Sequence, residues 1–456
     1  MKRILVAAFG FFLILCGCQP TPPQDVVVNK NENVFEKTIE ATPAPIKEYE
    51  VPAVWNETIT LNNKLLLEIN VPVEIGESDE YPVYSVSYTN MSGEFLYQWI
   101  NAVFPNVFEI RDQEYSREEL ENQLLEIARG TFDHVDENGI TIWEPYEESE
   151  LENLKETIML QINTLPKELT YQSFTASNIA LRGTSAVLRE TDGTQVWMKR
   201  GTYDEFGGNT VILSTRRNAH IQLKQWVMQE HGDLLGGSWT TTEFGITQQE
   251  AENQAELVLS RYGRTDFKLA SVQEARSIGS YPPWDKVDTT GWYLVYTPTL
   301  HGTVAADYNM YDEGPLVLHE QFSKGWQQEN IRFYISNKGI EQVTYGFPYI
   351  VRQTENSNVA LLPFSEVQGH IRDMMKYALA WTESKDVNAY GIGNRIIITR
   401  VALTTALVPI KNDRQYAMLI PTWAVFYITE HGTKVYDDEN VLLINAIDGS
   451  LIQLNS

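Results

Sequence analysis

An internal repeat in the second half of the chain constrains the fold more than any other feature. Residues 292–303 (WYLVYTPTLHGT) match residues 423–433 (WAVFYITEHGT), with one residue fewer between the tryptophan and the histidine. Further on, residues 329–339 (ENIRFYISNKG) match residues 439–449 (ENVLLINAIDG). Branched and aromatic residues favour strands, and a glycine between two such runs is typical of a hairpin turn. Each copy is therefore predicted to contain an aromatic-rich strand and a terminal hairpin.

A predicted helix precedes the strands in both copies. The first begins with a capping signal at residues 246–250 (ITQQE), and the second begins at Phe364 and Ser365. The apolar residues that share one helix face are Ala251, Ala255, Val258, Leu259 and Tyr262 in the first copy, and Val367, Ile371, Met374 and Ala378 in the second. One helix packed on an antiparallel sheet is thus the predicted unit, at residues 245–351 and again at 362–456.

The first half of the chain is predicted to form an α+β domain at residues 57–240. Alternating apolar residues indicate strands, and Asp192-Gly193 between two such runs is a two-residue hairpin signal. Three helices are expected, one of them after Ser92 and one at a capping box that begins at Ser116. The whole chain is therefore predicted to be a multi-domain α+β protein whose antiparallel sheets pack against helices.

Residues 1–17, which precede the second of two cysteines, have the pattern of an export signal with a lipid attachment site. Lys2 and Arg3 precede an apolar run that is too short to span a bilayer, and Gly17 is the small residue expected before an acylated cysteine. We expect cleavage after residue 17 and acylation of Cys18. Lipid chains would then hold the protein on the extracytoplasmic face of the cell membrane.

Processing of this signal also limits the chemistry. Cys16 is the rival site of acylation, but the bulky Leu15 before it does not suit the cleavage step. If Cys16 leaves with the signal and Cys18 carries lipid, no thiol is left. A cysteine nucleophile, a thiolate metal site and a disulfide are then excluded.

Residues 18–56 are predicted to be a flexible, proline-rich tether. The prolines are Pro20, Pro22, Pro23, Pro43, Pro45 and Pro52. Such a segment buries too little apolar surface to fold alone and favours extended conformations. One short helix is expected within it, at residues 34–41.

The charge of the chain argues against nucleic acid as a partner. The formal net charge is −26, and loss of Lys2 and Arg3 with the signal makes it two units more negative. A surface of this sign repels a phosphate backbone. The charge is better explained by solubility than by an acidic docking face.

Residues 416–428 (YAMLIPTWAVFYI) and 441–454 (VLLINAIDGSLIQL) resemble the closing strands of PepSY-type modules and of the related extracytoplasmic YycH/YycI regulators. The Thr-x-x-Glu-Ala helix start at residues 247–251 is similar too. Over its whole length the chain also resembles an uncharacterised family of lipoproteins from low-GC Gram-positive bacteria. It departs from YycH/YycI proteins in one respect, since those are anchored by a transmembrane helix.

This resemblance implies a binding or regulatory protein without an active site. PepSY-type domains are thought to restrain peptidases or to sense the state of the envelope, and YycH/YycI proteins contact a sensor kinase. The repeated His301-Gly302-Thr303 and His431-Gly432-Thr433 could then be paired contact points. Because His-Gly between strands is ordinary hairpin chemistry, we favour a role in turns.

Motifs for catalysis or metal binding are not evident in the sequence. It has no nucleophile elbow, no zincin motif, no phosphate-binding loop and no dinucleotide fingerprint. Residues 134–139 (HVDENG) imitate half of a calcium loop, but Pro145 stands where the bidentate glutamate is needed, which favours a plain turn. We expect no cofactor and no metal. A carboxylate pair assembled in space stays open as a route to hydrolysis.

Two aromatic pairs in proline-bearing loops are candidate ligand contacts. They are Trp143 with Tyr146, and Tyr281 with Trp284. Such rings could stack on a glycan or peptide, and packing against a neighbouring domain explains them equally well. The sequence thus favours a lipid-anchored, non-enzymatic binding or regulatory protein that recognises a protein or peptide. The alternatives are a solute- or glycan-binding lipoprotein and an envelope hydrolase that uses a carboxylate pair.

Overall fold

The computed structural model describes most of the chain between residues 34 and 452. The described ranges are 34–42, 51–62, 65–76, 80–112, 115–127, 131–135, 141–145, 148–165, 169–182, 184–202, 208–216, 220–223, 245–278, 287–300, 303–304, 326–383, 395–410, 413, 415–431 and 434–452.

The helices and strands of these ranges are numbered in chain order. The helices are α1 Val34–Glu40, α2 Gly93–Val103, α3 Arg117–Ile127, α4 Glu148–Thr164, α5 Ala176–Ala180, α6 Gln248–Tyr262 and α7 Phe364–Glu383. The strands are β1 Val54–Asn62, β2 Leu65–Glu74, β3 Val83–Tyr88, β4 Val107–Arg111, β5 Thr131–Val135, β6 Thr141–Pro145, β7 Gln172–Ser173, β8 Ser185–Glu190, β9 Gln195–Thr202, β10 Asn209–Ser214, β11 His220–Leu223, β12 Phe267–Ile278, β13 Val287–Leu300, β14 Thr303–Val304, β15 Asn330–Ser336, β16 Gly339–Gly346, β17 Tyr349–Asn356, β18 Arg395–Pro409, β19 Ala417–His431 and β20 Lys434–Asn445.

Strands from both ends of the chain form one sheet, which we call the terminal sheet. Its order is β1-β2-β18-β19-β3-β17, and β20 also pairs with β19. The β2–β18 pair is parallel, with Ile69 opposite Ile398, whereas the other strand pairs of this sheet are antiparallel. Helix α7 buries Val367, Ile371 and Met375 in the core of this sheet. The predicted α+β class is therefore confirmed, with one parallel pair in an antiparallel-rich sheet.

Strands from the middle of the chain form a second, longer sheet, which we call the central sheet. Its order is β11-β12-β13-β15-β16-β10-β9-β8-β4-β7, with β14 paired to β13. Helices α2, α5 and α6 pack on it and share one apolar core. The close packing depends on Gly93 at the start of α2, because a Cβ there would lie 2.2 Å from the carbonyl oxygen of Ala176 at the start of α5.

Local signals in the sequence place several elements correctly. Thr247 and Glu250 form the predicted capping box at the start of α6. Ser116 and Glu119 do the same at α3, where the Ser116 amide donates to Glu119 Oε2 at 2.6 Å. Asp192-Gly193 connects β8 to β9 as expected. The short helix α5 and the strands β4 and β7 were not predicted.

The two repeat units begin alike and then differ in their number of strands. In each, a helix is followed by antiparallel strands, namely β12–β16 after α6 and β18–β20 after α7. Where the first unit has β16 after its closing turn, the described residues of the second have a single bridge between Leu451 and Ile444. The glycine of the closing turn has a positive φ in both units and lies beside the helix. Gly339 faces Gln254 of α6, and Gly449 faces His370 of α7. Both helices bury a row of residues spaced by four, which is Ala251, Ala255 and Leu259 in α6, and Val367, Ile371 and Met375 in α7.

The pairing of strands crosses the boundaries predicted from the sequence. Strands β1–β3 belong to the predicted first domain but lie in the terminal sheet with the last strands of the chain, while β8–β11 lie in the central sheet with β12–β16. The chain passes between the sheets after Tyr88 and again at Phe347. These two crossings meet, since the Thr89 amide donates to the carbonyl of Pro348 at 2.7 Å.

An aromatic cluster fixes the place where the two crossings meet. The ring of Tyr88 stacks on Trp326 at a centroid distance of 4.1 Å and lies 6.2 Å from the ring of Phe347. Phe347 has a φ of 57°, which is strained for a residue with a side chain, and it is 5% exposed. The surrounding packing therefore holds the second crossing in a conformation that the free chain avoids.

Part of the predicted tether is structured. The expected short helix is present as α1, and residues from Val54 onward belong to β1. Ile39 of α1 packs against the core of the terminal sheet. No helix among the described residues is long and apolar enough to cross a membrane.

Candidate functional site

Strand β17 offers an accessible backbone edge at one end of the terminal sheet. It pairs with β3 on one side, and no described strand pairs with its other side. Residues 350–354 are exposed although they alternate between the two faces, and Ile350 and Val351 are 41% and 48% exposed. An edge of this kind presents N–H and C=O groups that an extended chain can pair with.

Two bulges shape this edge. The pairing with β3 shifts between Val351 and Gln353 and again between Thr354 and Asn356. At the first bulge, Arg352 Nε donates to the hydroxyl of Ser87 in β3 at 2.7 Å. Bulges and charged residues limit indiscriminate pairing between sheet edges. The edge is thus accessible but irregular, which favours a selective partner.

The first residue of β17 is fixed by an aromatic and apolar cluster. Tyr349 packs with Tyr84 and Tyr88 of β3 against a buried group. The buried group comprises Val86, Trp326, Leu407, Ala417 and Leu419. Because this cluster holds the start of β17, the exposed Ile350 and Val351 directly after it project from a rigid position.

A buried ionic network lies in the first repeat unit. Both terminal nitrogens of Arg264 donate to Glu329, at 3.0 and 3.2 Å, and the Tyr345 hydroxyl donates to Glu329 Oε1 at 2.6 Å. Arg264 also forms two hydrogen bonds, of 2.8 and 2.9 Å, with the more exposed carboxylate of Asp266. Glu329 is 1% exposed. The network joins the end of α6 to β12, β15 and β16.

The protonation of this network follows from burial and charge. Burial raises the pKa of Glu329, although the charge of Arg264 and its hydrogen bonds act in the opposite direction. Burial also disfavours the charged form of Arg264, but Glu329, Asp266 and Tyr345 together outweigh it and raise the pKa of Arg264. The bidentate contact and the Tyr345 donor stabilise the ionised pair. These contacts give the charges of Arg264 and Glu329 a structural role, since they hold elements of the central sheet together.

A second buried acid, Glu341 of β16, has a comparable setting. Arg216 Nε lies 2.8 Å from Glu341 Oε2, and the hydroxyl of Ser336 contacts its Oε1. Nearby, the hydroxyl of Tyr334 accepts from the Ser277 amide at 3.1 Å, and burial raises the pKa of Tyr334 to about 12. These contacts again bind strands of the central sheet to one another.

Most of the residues predicted to carry lipid or to contact a ligand lie outside the part of the chain that the structure describes. Cys18, Tyr146, Tyr281 and Trp284 lie outside the described residues, as do residues 136–140 of the calcium-like loop. Trp143 was predicted to lie in a loop, but it is part of strand β6, where its backbone pairs with Asp133 of β5. Its side chain is not among those that the structure describes. These assignments stay predictions. In the part of the chain that the structure describes, no group of three or more His, Cys, Asp or Glu side chains is placed to hold a metal ion.

The predicted His-Gly turns agree with the pairing on either side of them. Leu300 of β13 pairs with Thr303 of β14, and His431 of β19 pairs with Lys434 of β20. Both repeats of the motif thus connect adjacent antiparallel strands, as expected for hairpins.

Sequence reasoning missed the edge strand β17. Its sequence, YIVRQTEN, places two apolar residues side by side and then five polar ones, so it lacks the alternation of a half-buried strand. The adjacent Gly346 and Pro348 are turn signals that could have marked where it begins. Which strand it pairs with depends on contacts across more than 250 residues of chain.

Comparison with known proteins places the chain in no established family. No family model and no curated protein matches it. One solved structure is similar, the crystal structure of an uncharacterized protein from Eubacterium rectale ATCC 33656. The identity is 11% and the TM-score 0.45, over 92% of this chain and 98% of the other.

Proposed function

We propose that the protein is a lipid-anchored, extracytoplasmic binding or regulatory protein of the cell envelope, with no catalytic activity of its own. Its two repeat units would be PepSY-like or YycI-like modules, as the resemblance of residues 416–428 and 441–454 implies. Acylation at Cys18 would hold it to the membrane. Its partner would be a protein or peptide that binds in an extended conformation.

The accessible edge of β17 is the observation that supports this proposal most. An extended segment that adds to a sheet edge gains backbone hydrogen bonds, and side-chain contacts supply the selectivity. Here Ile350 and Val351 would supply apolar contacts beside the rigid cluster around Tyr349, while the bulge at Arg352 would restrict the register. A partner with branched apolar residues at the matching positions fits this surface.

The proposed binding edge can be tested with Ile350→Lys/Val351→Lys in cells. A photo-reactive residue at Gln353, which is exposed on the same strand, would trap the partner. We expect a specific envelope protein to be recovered with the native chain and its recovery to fall at least tenfold in the double variant. Two added charges oppose burial of this edge in an interface.

The matched control for this experiment is Leu257→Lys. Leu257 is 50% exposed and belongs to α6, which packs on the central sheet and not on the terminal sheet. It should leave recovery unchanged. Equal recovery from the double variant and the native chain would reject β17 as the binding edge. Crosslinks to many unrelated proteins, with no enriched partner, would argue against a dedicated regulatory role.

The anchor has a separate test in Cys18→Ser. Without the thiol, acylation cannot occur, so we expect either release of the protein from the membrane fraction or accumulation of the uncleaved precursor. Cys16→Ser is the control and should be processed normally. Membrane retention and processing of Cys18→Ser that equal those of the native protein would contradict the proposed anchor.

A further inference from the structure

Helix α1 is docked on the terminal sheet although it lies within the sequence predicted to be a tether. It contacts β17, and Ile39 packs against the core of the terminal sheet. The side-chain amide of Asn356, at the end of β17, donates to the carbonyl oxygens of Ile39 and Ala41, both at 3.0 Å. These are carbonyls of the last turn of the helix and the residue after it, which have no partner within the helix.

The side chain of Asn356 is held in place for this role. It is 5% exposed, and its Oδ1 accepts from the amide of Asn358 at 2.9 Å. Asn358 Oδ1 in turn accepts from the amide of Tyr81 at 2.9 Å. Both N–H groups of the Asn356 amide are therefore directed at α1 by a chain of hydrogen bonds that is anchored in the sheet.

The docking also explains why α1 is helical. It has seven residues, and a helix of this length is unstable in water by itself, because nucleation costs more than so few hydrogen bonds return. Contacts with the terminal sheet, among them those of Ile39 and Asn356, must therefore supply the stability of α1. Loss of either contact should release the helix into the chain that precedes β1.

We infer that docking of α1 limits the distance between the membrane and the folded body of the protein. We call the docked helix the clasp, and the maximal distance that the connecting chain allows the reach. This inference rests on the proposed anchor at Cys18. With α1 docked, residues 19–33 connect the anchor to the body, and these 15 residues span at most about 50 Å. With α1 released, the connection extends over residues 19–50, because Val51 packs against the core of the terminal sheet. These 32 residues span at most about 110 Å. Undocking of one short helix therefore more than doubles the maximal reach.

Hydrogen exchange tests the docking without reference to the membrane. We expect the amides of residues 38–41 in the full processed chain to be protected, and Asn356→Ala to accelerate their exchange at least tenfold. Ile39→Asp acts from the helix side and leaves the sheet intact, so it should have the same effect. Gln353→Ala changes an exposed amide side chain of the same strand and should have none. Exchange in the native chain at the rate of an unstructured peptide would overturn the clasp.

Energy transfer tests the reach. The lipidated protein is placed in vesicles of neutral phospholipid that carry an acceptor dye, and a donor is attached through Leu257→Cys on the exposed face of α6. Asn356→Ala and Ile39→Asp should both lower the transfer efficiency, whereas Gln353→Ala should not. Unchanged efficiency in variants with accelerated exchange would overturn the effect on reach. Protected α1 in a protein that does not associate with vesicles would overturn the anchor, and the reach with it, while the docking would stand.

Discussion

Replacement of Arg264 by methionine is expected to destabilise the protein by about 3–5 kcal/mol, because it leaves the carboxylate of Glu329 buried without its cation. Glu329 is 1% exposed, and its remaining partner would be the hydroxyl of Tyr345. Methionine keeps much of the length and apolar volume of the arginine stem, so the loss reports on charge more than on packing. Urea unfolding followed by tryptophan fluorescence measures the effect.

The comparison variants separate a buried partner from an exposed one. Asp266→Asn removes the other carboxylate bound to Arg264. The side chain of Asp266 is 46% exposed, and an exposed ion pair contributes at most about 1 kcal/mol to the free energy of unfolding. Arg264→Met/Glu329→Met removes both buried charges and should recover part of the stability lost in Arg264→Met. A loss in Arg264→Met no larger than that in Asp266→Asn would show that Glu329 does not depend on this arginine.

Substitution of Gly291 by alanine is also expected to destabilise the protein. Gly291 lies in β13, and a Cβ at this position would approach the carbonyl oxygen of Ile335 in the neighbouring β15 to 2.1 Å. The obstacle is backbone, so it cannot move aside as a side chain could, and the two central strands must separate locally. Overpacking of this kind costs about 1–3 kcal/mol and occasionally more. Thermal unfolding of Gly291→Ala would show a lowered midpoint.

Gly369 of α7 provides a control position at which replacement of glycine by alanine is expected to stabilise the protein. A Cβ there meets nothing within 4 Å. Alanine favours a helix over glycine by about 1 kcal/mol. Gly369→Ala should therefore raise the midpoint while Gly291→Ala lowers it. A midpoint of Gly291→Ala equal to or above that of the native chain would show that the close approach between β13 and β15 is wrong.

Local chemistry made part of this fold predictable from the sequence. Thr247 with Glu250 satisfies the first amides of a helix wherever that helix packs, and Asp192-Gly193 closes a hairpin through its own backbone preferences. The repeat was visible for a related reason, since both units need the same helix, strands and turn glycine. Features of this kind depend on residues close together in the chain.

Long-range pairing was not predictable in the same way. Leu67 and Ile396 are adjacent in the parallel β2–β18 pair, yet neither carries a local signal for the other, since any two apolar strands satisfy the same pattern. The edge strand β17 escaped prediction because its exposure is a property of its neighbours. The aromatic candidates Trp143, Tyr146, Tyr281 and Trp284 were chosen for exposure in loops, and their role stays a prediction.

The position of β2 beside β18 also sets the order in which the protein can be completed. The strands of the central sheet lie between Val107 and Gly346, so that sheet can form as soon as this stretch has been synthesised. The terminal sheet needs strands from both ends. Strand β1 can pair with β2 at once, but β2 must wait for β18, and β3 must wait for β17 and β19. During synthesis, which proceeds from the N-terminus, these first strands would be the part most exposed to wrong pairing or to a chaperone. A chain truncated before β18 would keep this vulnerability permanently.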